Sequence, residues 1–252
     1  MISGVAFCPQ PPLLVPEVAS GAADELDGLR AACRAAIATV CGGRRPVLLG
    51  AGPVSLAHSS LSRGTLAAFG VPGEIGLDSS NNAGRAASAG VTGGQGGALE
   101  LPPSLTVGAW LLGDALGAGT GARAFSVGKD FATSRAAVEL LQLAETADVG
   151  LVVLGDGSAR RSTSAPGYLD ERAAAFDADV AAALRSGDGA RLGQLDGELA
   201  ADLLAGGVPA WHAAAAVLAD VGRDAHLSYD AQLSYDGAPY GVGYFVATWL
   251  PR

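Results

Sequence analysis

Three short polar segments hold the residues whose types and spacing suit chemistry. The first is Gln10, which follows an apolar run over residues 2 to 8 and leads into Pro11-Pro12-Leu13-Leu14-Val15-Pro16-Glu17. Its amide offers one acceptor oxygen and one donor nitrogen. The second is Gly50-Ala51-Gly52-Pro53, followed by Ser55 and His58. An imidazole there suits proton transfer or metal ligation. The third is Gly155-Asp156-Gly157-Ser158-Ala159-Arg160-Arg161. Its glycines permit a sharp turn that exposes backbone N–H groups. Its arginines suit bidentate contact with a carboxylate or phosphate. A plainer reading has Asp156 capping the turn and the arginines pairing with Asp170 or Glu171.

A non-haem iron triad needs two histidines and a carboxylate. The chain has three histidines, His58, His212 and His226. His58, expected in a loop after the second strand, is the best placed. His212 stands beside Trp211 in an alanine-rich stretch and reads as a packing residue, and His226 as a surface or structural one.

Other mechanisms fail on spacing. Six residues, not four, separate Gly121 from Gly128-Lys129, so no P-loop forms. Gly50-Ala51-Gly52 lacks the third glycine of a dinucleotide fingerprint, and no Gly-x-Ser-x-Gly elbow occurs. Lys129 is the sole lysine, which argues against Schiff-base chemistry. A cysteine nucleophile would be Cys8, at a strand end, but it reads as a core thiol.

These segments need strands to carry them. Residues 2 to 8, 47 to 49, 122 to 128 and 149 to 154 are buried-strand runs. Between them fall helical patterns. In residues 17 to 41, Leu26, Leu29, Cys33, Ile37 and Val40 make one apolar stripe. Thr133 to Thr146 is a helix with Thr133 or Ser134 as N-cap. Helices are also expected over Tyr168 to Arg185, Arg191 to Leu204, and from Pro209 to about Val221. Leu105 to Leu116 is a strand or a helix, and Leu66 to Leu77 includes a short strand near Ile75. Residues 79 to 98, with Gly84, Gly90, Gly93, Gly94, Gly96 and Gly97, read as a flexible loop or a lid. The tail, 225 to 249, reads as two strands and repeats Leu-Ser-Tyr-Asp at 227 to 230 and 233 to 236. The alternation predicts a single α/β domain over residues 1–252, a central mixed sheet with helices on both faces.

Composition sets the outer limits. Of the 252 residues 49% are hydrophobic and only 6% aromatic, with 37 glycines, as in a globular protein with alanine-rich helices. The net charge of -9 argues against nucleic acid as a partner. No apolar run reaches a membrane-spanning length, and the first residues resemble neither a signal peptide nor a lipoprotein leader. Three cysteines, an odd count, fit a reducing cytoplasm. Self-association into a homo-oligomer is left open.

Several segments together resemble a known family. Phe7-Cys8-Pro9-Gln10-Pro11-Pro12 with its continuation to Glu17 resembles the opening of class III extradiol ring-cleavage dioxygenases. Val152 to Arg160, then Ala165 to Asp177, resembles an uncharacterised actinobacterial branch of that superfamily, whose members are similar to the catalytic subunit of protocatechuate 4,5-dioxygenase. Ala238 to Ala247 resembles its C-terminal strand. The resemblance implies one α/β domain and, in active members, iron at the strand ends that holds a catechol and dioxygen while a histidine acts as acid and base. This chain departs from the pattern. Gln10 stands at the first metal position, Gly52-Pro53 near the second, and no histidine falls between Ser158 and Arg160. The expectation is a remodelled, iron-free strand-end pocket for a small anionic or aromatic ligand, built from Gln10, His58, Asp156, Ser158 and Arg160. The alternatives are a metal-dependent extradiol dioxygenase with Fe(II) on the unusual ligand set Gln10, His58 and Asp156, and a non-enzymatic scaffold. An amide oxygen is a weak ligand beside imidazole, so no metal and no cofactor is expected.

Overall fold

The structure, a computed structural model, describes residues 1–77, 100–117, 120–222 and 228–252. The glycine-rich stretch 79 to 98, His226 and the start of the first Leu-Ser-Tyr-Asp copy lie outside the described residues. The strands are β1 (Ile2–Cys8), β2 (Arg45–Ala51), β3 (Leu56–His58), β4 (Arg63–Leu66), β5 (Val71–Gly76), β6 (Arg123–Val127), β7 (Val149–Leu154), β8 (Tyr229–Gly237) and β9 (Tyr244–Pro251). The helices are α1 (Pro16–Ala19), α2 (Asp27–Cys41), α3 (Pro103–Leu116), α4 (Arg135–Thr146), α5 (Ala173–Ser186), α6 (Gly189–Gly193), α7 (Gly197–Asp202) and α8 (Val208–Val221).

Seven strands make one mixed sheet in the order β3-β6-β2-β7-β1-β9-β8, while β4 and β5 pair separately. β1, β2, β6 and β7 run parallel, and β3, β9 and β8 each lie antiparallel to their neighbours. The four parallel strands are apolar on both sides because both faces are covered. Val5, Phe7, Leu49, Phe125, Leu151 and Val153 pack in one cluster with residues of α4, α5 and α8. Ala6, Cys8, Leu48, Ala124, Val152 and Leu154 pack in the other with α2 and α3. The alternation of odd and even positions between the clusters is the strand period of two.

The expected elements are present with local differences. The stripe Leu26, Leu29, Cys33, Ile37 and Val40 is buried, but the helix carrying it begins only at Asp27. A single α-helical turn and a 3-10 segment precede it, and they join at Ser20, whose φ of 49° leaves the helical region. The helix expected from Tyr168 starts at Ala173, after a loop in which Tyr168 has φ 59°. Arg191 to Leu204 is two short helices, with Asp196 capping the second through the N–H groups of Glu198 and Leu199. The stretch after Pro103 resolves to helix, and Ser134 is the N-cap of α4.

Helix α2 lies close against the sheet at Gly150. A Cβ there would stand 2.6 Å from the Val40 carbonyl oxygen and 2.9 Å from the Cys41 Cα. Both are backbone atoms of α2, so neither swings aside. Gly150→Ala is expected to lower stability by about 1–3 kcal/mol, read as a lower urea midpoint at unchanged slope.

Candidate functional site

The parallel strands all deliver their carboxyl ends to one edge, where ligands bind in open α/β sheets. At that edge Asp156 gathers two other polar side chains, Gln10 and Tyr244. β1 and β7 pair Cys8 with Leu154, so Gln10 falls beside Asp156 two residues on. Tyr244 opens β9 directly after Gly243, whose backbone pairs with Gly157 and Ser158 just beyond Asp156. The Gln10 N–H donates to Asp156 Oδ1 at 2.9 Å. The backbone locks the turn from both sides. The Gly155 N–H donates to the Cys8 carbonyl at 2.9 Å, and the Gly207 N–H to the Asp156 carbonyl at 2.8 Å.

The electrostatics of this trio are unusual. Burial lifts the Asp156 carboxyl to about 7, against the opposing pull of the Gln10 N–H. The carboxyl itself is buried although the residue as a whole keeps some exposure, so its charge is costly. Tyr244 is 2% exposed, and burial, then the charge of Asp156, holds its phenol well above the usual tyrosine range. Gln10 Oε1 is buried with no hydrogen-bond partner among the described residues. A buried acceptor without a donor costs about 1–3 kcal/mol, which a ligand donor would recover.

Tyr244 was not among the residues the sequence singled out. The tail's period of two shows only that it shares a face with Val246; the pairing of Gly243 with Gly157 and Ser158 is what brings it near Asp156.

The other candidates go elsewhere. Ser158 is fully buried and turned inward. Its hydroxyl donates to the Leu203 carbonyl at 3.0 Å and accepts from the Arg160 N–H at 3.1 Å, while its N–H donates to Asp177 Oδ1 at 2.8 Å. All its polar capacity serves the loop, which corrects its assignment to a ligand pocket. Asp156 does not cap its own turn; it accepts from Gln10. The arginine pairing also differs from expectation. Arg161 binds Asp177 Oδ2 at 2.7 Å, and it is Arg172 that holds Asp170, at 2.8 Å. Arg160 keeps a buried Nε without an acceptor among the described residues.

His58 is not in a loop. It ends β3 and is buried, with Nε2 3.1 Å from Ser126 Oγ. That hydroxyl gives its hydrogen to the Val54 carbonyl at 2.8 Å, so His58 Nε2 must be the donor. Nδ1 has no partner among the described residues, and burial lowers the imidazole's affinity for a proton. β3 lies four strand positions from β1, roughly 19 Å at the usual strand spacing. The set Gln10, His58 and Asp156 is therefore not brought together, and no group of three or more metal-ligating side chains gathers among the described residues. His212 is on α8, its Nε2 3.0 Å from the Leu195 carbonyl. An amide, a carboxylate and a phenol with no imidazole do not fit the ferrous site of active extradiol enzymes.

Cys8, at the end of β1, is buried, and its thiol is held well above its usual range by contact with Cys33, then by burial. That disfavours the thiolate a nucleophile needs. No helix of the described residues is long and apolar enough to cross a membrane.

The chain matches no protein-family model. It also matches no curated protein.

Proposed function

We propose that this chain is a cytoplasmic relative of the class III extradiol dioxygenases whose strand-end site has lost iron chemistry and binds a small hydroxylated aromatic. One observation carries the reading. Gln10 Oε1 is a buried acceptor with no donor among the described residues, next to the Asp156 carboxylate, on the edge where such folds bind ligands. Two adjacent acceptors call for a ligand that donates, as phenol hydroxyls do, and they repel an anion. Of the two ligand classes expected from sequence, this favours the aromatic one.

Asp156 supplies the chemistry such a site would have. A carboxyl near 7 is divided between its two protonation states at neutral pH, as a general acid or base must be. It accepts a phenolic proton when ionised and returns it when protonated, with the Tyr244 phenol close enough to feel its charge.

Calorimetric titration with catechol in the presence of a chelator tests the reading. Saturable binding is expected, weakened about ten-fold or more in Gln10→Ala, which removes the unpaired acceptor. Stoichiometric iron after anaerobic ferrous loading, with catechol binding only to the loaded protein, would overturn it in favour of a metal-dependent dioxygenase. No binding of catechol in either form would favour the scaffold.

A further inference from the structure

A second site lies behind the strand ends. Helices α4 and α8 both run away from the carboxyl edge of the sheet, and the small side chains between them leave space unfilled. The result is a cavity of about 660 Å³ between α4, α7 and α8, opening beside the end of β6. That volume falls in the range of small-molecule sites. Its walls are mostly apolar, with Phe131, Leu141, Val208 and Val217 the largest contributors. Gly206 forms one rim, and beyond it lies the Gln10 amide, so the cavity backs onto the strand-end trio without including it.

The charges on the wall are sorted by end. Lys129, the chain's sole lysine, is exposed at the carboxyl edge and makes no ion pair with another described residue. Asp220 lines the opposite end, roughly 18 Å along α8 from Val208. His212 sits between them in the α8 wall, its Nε2 hydrogen engaged by the Leu195 carbonyl. A ligand's negative end is attracted to the Lys129 mouth, while its body removes apolar wall from water.

We propose that this groove binds a monocarboxylate with an apolar tail, the carboxylate at Lys129 and the tail between α4 and α8. The site is separate from the Gln10–Asp156 pair, and neither reading depends on the other.

Titration calorimetry of the full chain with decanoate and with decan-1-ol tests it. Wild type is expected to bind decanoate saturably at one site and more tightly than the alcohol. Lys129→Gln is expected to weaken decanoate about three-fold, the scale of an exposed ion pair, and to leave the alcohol unchanged. Ala201→Trp and Ala132→Trp fill the groove from two exposed positions on different walls, and each is expected to weaken both ligands about ten-fold or more. Absence of saturable binding would overturn the proposal, as would binding indifferent to both tryptophans. A dimer in sedimentation that either tryptophan dissociates would overturn it too, because a second copy would then cover the groove.

Discussion

Asp177→Ala is expected to lower stability by about 3–5 kcal/mol, the scale for breaking a buried ion pair from one side. Asp177 sits in the second turn of α5, 1% exposed, and holds the strand-end loop. One oxygen accepts from the Ser158 N–H at 2.8 Å and the other from Arg161 at 2.7 Å. The chain has cleared space for it. A Cβ on Gly157 would stand 2.6 Å from its Oδ1, and one on Gly243 would stand 2.2 Å from its Oδ2. Those two glycines also pair directly, the Gly157 N–H donating to the Gly243 carbonyl at 2.7 Å. Alanine leaves an unmet N–H, a half-buried guanidinium and a void at one stroke. Burial holds the Asp177 carboxyl above its usual range even against Arg161, so the pair is expensive to keep as well as to break. Asp177→Asn separates the two costs. Its Oδ1 still accepts from Ser158 and its volume fits, so it is expected to lose less than half as much. Urea denaturation of both variants at neutral pH is the measurement, and an alanine variant within about 1 kcal/mol of wild type would show that Asp177 does not anchor the loop.

Asp177 also shows where reading the sequence stops. The buried strands were legible because an apolar run bounded by glycine and polar turns has few other uses, and β1 and β7 fall at the expected residues. The α2 stripe was legible by its period. Helix starts were less so, because Ser20 and Tyr168 take positive φ for reasons set by packing rather than by residue type. The site was legible only in part. Gln10 and Asp156 follow strands that an α/β reading places together, and the structure joins them. His58 was misplaced because a three-residue edge strand has almost no sequence signal. Ser158 was misread because a serine after a glycine turn looks the same facing a ligand or facing Leu203. The partner of Arg161 lies sixteen residues on, inside a helix, and the sequence offers nearer acids as equally good choices. Tyr244 depends on Gly243 pairing with Gly157 and Ser158, a long-range pairing that no local pattern encodes.

Asp156→Asn is expected to stabilise the protein, by up to about 4 kcal/mol at pH 8, while removing the function of the strand-end site. The Asp156 carboxyl is raised to about 7 in the folded chain, against roughly 3.9 for an unfolded aspartate. A raised acid binds its proton more tightly when folded. Its contribution to stability is therefore fully present below about pH 4 and is lost as pH rises through 7. At about 1.4 kcal/mol per unit, ionising it against burial costs the stated amount at alkaline pH. Asparagine keeps an acceptor for the Gln10 N–H and carries no charge. The two proteins should therefore be close in stability at pH 4 and diverge steadily toward pH 8, as read from urea midpoints across that range. A variant less stable than wild type at pH 8 would mean that the ionised carboxylate is well compensated, and Asp156 would then be a structural acceptor. A gain that grows with pH would identify an acid kept at a cost to the fold, which is how groups tuned for proton transfer behave. Catechol titration of the same variant completes the argument. Loss of binding alongside the gain in stability would place the ligand's donor on Asp156, whereas full retention would leave Gln10 as the sole contact.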